Sequence, residues 1–252
     1  MKIAALYDIH GNLPALNAVL AELDTVQPDI IVIGGDIVSG PLPRHTLERL
    51  GQLDIPVQAI RGNADREVVT AFDGQPFAAT MPEDVRDITR WTAQQLEPAQ
   101  RDFLAQLPQR IVLQIEELGD ILFCHATPRS DEEIFTQITP QERLDSIFSG
   151  VTEQIVVCGH THMQFERQVG ATRIVNAGSV GMPYAEYPGA YWLLLGPEGH
   201  EFRRTAYDTQ AAAQQVRASG YPQAEEFAAE NIIKVPTAAE ATAVFERMAE
   251  RN

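Results

Sequence analysis

Between Lys2 and Asn63, short apolar runs alternate with amphipathic stretches. KIAALY, DIIVIGG and PVQAIRGN read as strands; LPALNAVLAEL and RHTLERLGQL, with apolar residues recurring three and four apart, read as helices. Strands separated by single helices predict parallel pairing through right-handed crossovers. A helical pattern follows from Pro82 to Leu107, broken in two at Pro98. RIVLQIEELGDILFCH then reads as a hairpin around Glu-Leu-Gly-Asp, and PQERLDSIF as a helix before the strand EQIVVCGH. FERQVGATRIVNAGS and AYWLLLGPEGHEFRRTAY each supply two strands around a glycine turn. Mixed strands with helices before and after predict an α/β protein of two sheets packed face to face, helices outside. From Asp208 the chain is Ala- and Glu-rich and helical, with Thr237 as a cap and a stripe of Ala241, Val244, Phe245 and Met248. That stripe is expected to pack on the outside of the domain, a lid or a subunit contact being the alternatives. No repeat or linker interrupts the chain, so residues 1–252 are expected to form one domain, with 208–252 a helical C-terminal extension.

Composition is that of an ordinary globular protein, 44% hydrophobic and 21% charged. The formal charge of −16 argues against a chain that grips nucleic acid, which needs a basic face. The only lysines are Lys2 and Lys234, and neither neighbours a motif. Small phosphorylated substrates stay open, because bound cations reverse the local sign. Asp8 interrupts the first apolar run too early for a signal peptide, and no run approaches a membrane span. A cytoplasmic protein without a membrane partner is expected. Cys124 and Cys158 lie in apolar strand-like runs and read as buried thiols rather than a disulfide or a nucleophile.

The chemistry lies where strands end. The first ends on DIHGN, with Asp8 and His10 two apart and so on one side of an extended chain. The second ends on Asp36, the third on Asn63, ILFCH on His125, and IVVCGHTH on His160 and His162, again two apart. Open α/β sheets place their sites at such carboxyl ends. Nitrogen with carboxylate oxygen suits borderline divalent ions: manganese first, with iron, zinc, nickel or cobalt as alternatives. These residues are too many for one structural tetrahedral zinc and enough for two ions sharing a carboxylate. His45 and His200, in a helix and a glycine-rich turn, read as solvated surface.

DIHGN, GGD (34–36), GNAD (62–65), CHATP (124–128), GHTH (159–162) and NAGS (176–179), in that order, resemble the calcineurin-like metallophosphoesterases, and most of all their small bacterial and archaeal phosphodiesterase branch. The resemblance implies a four-layer α/β/β/α sandwich of two mixed sheets flanked by helices. It assigns Asp8, His10, Asp36 and His162 to one metal, and Asp36, Asn63, His125 and His160 to the other, with Asp36 bridging. It implies hydrolysis of phosphodiesters by a hydroxide that two metals activate, with Asp36, Asn63 and His125 as the catalytic set. Relatives form dimers and larger assemblies, so a homo-oligomer stays open.

Two departures narrow the substrate. Many relatives read Gly-Asn-His, the His protonating the leaving group; here Ala64 has no proton to give. Phosphoprotein phosphatases carry Asp-Arg-Gly after their second motif, where this chain has GDIVSGP. Asp65 reads as a cap for the segment that follows it. Arg129 is the one candidate for a phosphate clamp, against a solvated loop arginine, and Met182 and Tyr184 are candidates for the pocket wall. The expected function is hydrolysis of a small or nucleotide-derived phosphodiester. A phosphomonoesterase or nucleotidase is the alternative enzyme, and a non-catalytic binding scaffold of the same fold the alternative of another class.

Overall fold

The computed structural model describes residues 1–249; positions 250–252 of the expected C-terminal extension lie outside the described residues. The strands are β1 (Ile3–Leu6), β2 (Ile30–Ile33), β3 (Val57–Ala59), β4 (Arg110–Ile115), β5 (Gly119–Cys124), β6 (Ile155–Cys158), β7 (Gln164–Val169), β8 (Thr172–Ala177), β9 (Ala190–Gly196) and β10 (Gly199–Thr205). The helices are α1 (Leu13–Val26), α2 (Pro43–Leu50), α3 (Asn63–Phe72), α4 (Glu83–Gln95), α5 (Pro98–Gln106), α6 (Gln141–Ile147), α7 (Thr209–Arg217), α8 (Ala224–Phe227) and α9 (Ala238–Ala249), with a π-helical turn, Ala228–Ile233, before the last.

One sheet has the order β10-β9-β1-β2-β3 and the other β4-β5-β6-β8-β7. In the first, β1, β2 and β3 run parallel and β9 joins β1 antiparallel. In the second, β5, β6 and β8 are parallel, with antiparallel strands at both edges. The central strands are apolar on both faces because both faces are covered. Ile3, Ala5, Tyr7 and Val32 meet Phe123, Ile155, Val157 and Val175 between the sheets. Ala4, Leu6, Ile31 and Ile33 face outward onto Leu16, Val19 and Leu20 of α1, Val68 of α3 and Leu104 of α5. On the opposite outer face Leu122, Val156 and Ile174 pack on Leu144 and Ile147 of α6 and Ala241 of α9. These are the four layers, helix, sheet, sheet and helix.

Asp208 caps α7, accepting from the amides of Gln210 and Ala211 at 3.0 Å, and Thr237 caps α9 in a reciprocal pair with Glu240. The buried stripe of α9 is rotated from the one expected. Ala241, Thr242 and Ala249 are buried and Phe245 packs with them, whereas Val244 and Met248 are exposed. The reason is polar: Thr242 turns its hydroxyl to the Ala238 carbonyl, a common helix contact that hides it in the apolar face. His200 also differs: it lies on β10, its ring 3.3 Å from Glu166 and edge-on to Phe202 rather than free in solvent.

Cys124 and Cys158 are free and buried. Burial pushes the Cys124 thiol up to about 12 and raises Cys158 as well. Both thiols should be silent toward a disulfide reagent at neutral pH in the native protein and react only in denaturant; native labelling would contradict this packing.

Candidate metal centre

β1, β2, β3, β5 and β6 all point their carboxyl ends to one edge of the sandwich, and the segments that follow bring seven side chains together there. The convergence comes from the loops. β1 stops at Leu6 and β6 at Cys158, before the ligands begin. Asp8, His10, Asp36, His160 and His162 all have positive φ, between 48° and 68°. Such left-handed backbone costs a side-chain-bearing residue about 1–2 kcal/mol. Here it is over-determined: the amides of Asp8, His10 and Gly11 donate to the carbonyls of Gly35, Asp36 and Ile37, lacing the two strand-end loops together. Glycine permits the close approach. A Cβ at residue 62 would stand 2.1 Å from Asp36 Oδ1, and one at residue 159 would stand 2.4 Å from Asp8 Oδ2.

Each carboxylate is held by one oxygen and aimed by the other. Asp8 Oδ2 accepts from the His160 amide at 2.9 Å, and Asp36 Oδ1 from the Ala64 amide at 2.8 Å. Asp8 Oδ1 then lies 3.5 Å from His162 Nε2 and 3.8 Å from His125 Nε2, buried without a hydrogen-bond partner. Asp36 Oδ2 lies 3.4 Å from His125 Nε2 and 3.8 Å from His10 Nε2. Both carboxylates therefore stand in the middle of the cluster, not Asp36 alone.

The four histidines are oriented from behind. His10, His125 and His162 direct Nδ1 to the carbonyls of Ser39, Gly34 and Met182 at 2.8–2.9 Å, leaving Nε2 to face inward. His160 is reversed: Nε2 meets the Glu132 carbonyl at 3.2 Å, and Nδ1 faces the Asn63 amide. Asn63 also reaches His125 Nε2 at 3.1 Å. The pair two residues apart in GHTH thus divides, His162 beside His10 and His160 beside His125, with ring centroids 4.9 and 5.2 Å apart.

Burial opposes charge on Asp8 and Asp36, but His162 beside the first and His125 beside the second outweigh it and hold both below the usual carboxylate range. Burial works against His125 too, yet the Asp36 carboxylate prevails and pushes it up to about 10. His160 is drawn down to about 4 by burial and by His125. Burial and His162 lower His10. The His10 and His162 Nε2 atoms are 3.1 Å apart, although each ring already donates from Nδ1. Two bare lone pairs at that distance repel unless a cation lies between them. With the orphaned Asp8 oxygen, they make a donor set fitted to divalent metal. Asp8, His10 and His162 form one such group, and Asp8, Asp36 and His125 another.

Arg129 does not join the cluster. Its exposed guanidinium is held by Glu133 and the Ser146 carbonyl, an arrangement that fits the alternative of a solvated loop arginine. Arg129→Ala should change phosphoester hydrolysis less than about threefold, since an exposed pair is worth little; a tenfold rise in KM would reverse that reading. Tyr184 stacks on His162 at 5.3 Å, backed by Phe245 of α9, and Met182 supplies the carbonyl behind His162. Three supporting residues carried too little signal to be assigned such a role from spacing. Asp65 is buried and accepts from the amides of Gly62 and Ile37 as well as capping α3, which ties the Asn63 and Asp36 loops together. Asn176 donates to the Gly159 carbonyl at 2.7 Å, and Ser179 to the Asp8 carbonyl at 2.8 Å. Their only trace in the sequence is the NAGS string itself.

Paired carboxylates and four aimed imidazoles thus gather at the ends of parallel strands as donors fitted to divalent metal. The family's domain model matches residues 1–195, and the chain belongs to the calcineurin-like phosphoesterase superfamily. It is similar to phosphodiesterase YfcE of Escherichia coli, 27% identical over 203 residues that cover 77% of this chain and 87% of YfcE. It is also similar to an uncharacterised protein of Methanocaldococcus jannaschii, 25% identical over 244 residues, or 88% and 94% of the two chains. Among solved structures, a metallophosphoesterase from Sphaerobacter thermophilus superposes with a TM-score of 0.68 at 26% identity, covering 91% of this chain and 97% of that one. A hypothetical protein from Pyrococcus horikoshii shares the fold with a TM-score of 0.79 at 22% identity, covering 94% and 99%.

Proposed function

We propose that this phosphoesterase is a binuclear metal-dependent phosphodiesterase acting on a small or nucleotide-derived substrate. The observation that carries the reading is the division of the inward-facing donors into two adjoining sets around Asp8 and Asp36. His10 and His162 would hold one ion with these carboxylates, and His125, His160 and Asn63 the other; manganese suits the nitrogen and oxygen mixture, with iron, zinc, nickel or cobalt as alternatives. Two such ions supply charge for the phosphoryl oxygens and an acidified water. The protein's own part is to aim Nε2 of His10, His125 and His162 and Nδ1 of His160 inward, to keep Asp8 and Asp36 ionised, and to exclude bulk water from both. No side-chain nucleophile is required, and Ser179, whose hydroxyl is spent on the Asp8 carbonyl, is not one.

A small phosphorylated partner fits the chain better than nucleic acid, given the net charge of −16. No helix among the described residues is long and apolar enough to cross a membrane, and the reading places the enzyme in the cytoplasm. The test is hydrolysis of bis-p-nitrophenyl phosphate by metal-stripped protein before and after manganese is added. Activity that appears only with the metal and exceeds that on p-nitrophenyl phosphate is expected. Faster monoester cleavage would favour the nucleotidase alternative, and bound metal without hydrolysis of either ester the scaffold.

A further inference from the structure

Two neighbouring carbonyls outside the sheets reach into the metal centre together. They belong to Asp131 and Glu132, in the connection between β5 and α6, where the chain is neither helix nor strand. The Glu132 carbonyl meets His160 Nε2 at 3.2 Å, and the Asp131 carbonyl lies 3.2 Å from the Asn63 side-chain amide. Of the three side chains His125, His160 and Asn63, two are therefore oriented from one dipeptide. No backbone ladder fixes that dipeptide, but its side chains do. Arg66 donates from Nε to Asp131 Oδ2 at 3.0 Å and from Nη2 to Oδ1 at 3.2 Å, and Nη2 also reaches the Glu132 carboxylate. A planar guanidinium meets two carboxylate oxygens at once, so the contact sets direction as well as distance. Among the described residues no other cation pairs with either carboxylate. Arg66 lies on α3 three residues after Asn63, which opens that helix, so the two are neighbours on its surface. One helix turn thus carries both Asn63 and the clamp on the segment that orients Asn63 and His160.

We propose that Arg66 is a positioning residue for the metal ion on the side of His125, His160 and Asn63. The proposal rests on the binuclear reading above. Arg66 acts through the backbone it holds and not on the reacting atoms. A carbonyl can only accept, so the Glu132 carbonyl keeps the His160 proton on Nε2 and turns Nδ1 of the neutral ring inward. The Asp131 carbonyl fixes the plane of the Asn63 amide from the same segment. Without the fork, an irregular segment bearing two adjacent carboxylates is free to move away, and both orientations go with it. His10 and His162 are backed by Ser39 and Met182 instead, so the clamp serves one side of the centre only.

The experiment titrates manganese by calorimetry into metal-stripped Arg66→Met, Arg66→Lys and Asp131→Asn beside the wild type, with circular dichroism as the check on folding. Loss of an outer partner of a metal ligand costs about 10–100-fold in affinity. In Arg66→Met one equivalent should bind as in the wild type and the other about ten- to a hundredfold more weakly. Asp131→Asn, which keeps the carbonyl but not the ion pair, should reproduce that loss, and Arg66→Lys, a point charge in place of a fork, should recover part of it. Hydrolysis of bis-p-nitrophenyl phosphate should need correspondingly more manganese and regain the wild-type kcat and KM once the metal saturates. Nitrogen NMR of the metal-free proteins should show His160 protonated at Nε2 in the wild type and as a mixture of tautomers in Arg66→Met. Both equivalents bound as tightly as in the wild type, both weakened alike, or a His160 tautomer indifferent to the substitution would overturn the proposal. So would a KM that stays high at saturating manganese, which would put Arg66 on the substrate. These outcomes leave the binuclear reading intact, whereas a wild type that binds a single equivalent would overturn both.

Discussion

Asp36→Asn should lower manganese-dependent phosphodiester hydrolysis about a thousandfold or more without unfolding the protein. The amide oxygen can keep the 2.8 Å contact with the Ala64 amide, so the loop and the start of α3 stay in place. What changes is the other arm. The oxygen now 3.4 Å from His125 Nε2 and 3.8 Å from His10 Nε2 becomes an NH₂ that points hydrogens at the spot where positive charge belongs. One negative charge is lost from a site whose chemistry is charge stabilisation, and single electrostatic contributors in such sites are worth about 10²–10³ each. The loss exceeds that figure because Asp36 faces His10 of one donor set and His125 of the other. Calorimetric manganese binding should weaken in parallel, with circular dichroism unchanged. Full activity in Asp36→Asn would remove the carboxylate from the centre of the mechanism.

Much of this site is legible from spacing, and the part that is not has a physical cause. The ends of β1, β2, β5 and β6 are visible as apolar runs, and each run is followed by its ligand. Alternation along a strand also puts Asp8 beside His10, but the chain reaches that result differently, with left-handed residues after the strand has ended. The same rule applied to His160 and His162 puts them on one side, and the loop sends them to opposite donor sets. Period-two reasoning holds only while the backbone is extended. Arg129 shows a second limit: a guanidinium near a motif reads as a clamp or as a solvated arginine until its partner is known, and Glu133, four residues on, is that partner. Asp65, Asn176 and Ser179 act through backbone amides and carbonyls remote in sequence, contacts that no local pattern encodes.

Manganese added to the stripped protein should raise its stability in two separable increments. An ion that binds only the folded chain at a hundredfold excess over its Kd contributes about 2.7 kcal/mol. For a chain of this size each kcal/mol moves Tm by about 2–4 °C, so each site should add about 5–10 °C. The relief of repulsion between the His10 and His162 nitrogens, and the partner gained by the orphaned Asp8 oxygen, are why the folded site binds and the unfolded chain does not. Because His162 stands with His10 while His160 stands with His125, the two increments can be removed singly. His10→Ala should leave one equivalent of metal bound and one increment of Tm, and His125→Ala likewise, each with hydrolysis lost. Asp8→Ala, which takes an oxygen from between both sets, should reduce both increments together. A wild type that binds a single equivalent, or a His10→Ala protein that still binds two, would mean that the two histidine pairs serve one ion rather than two.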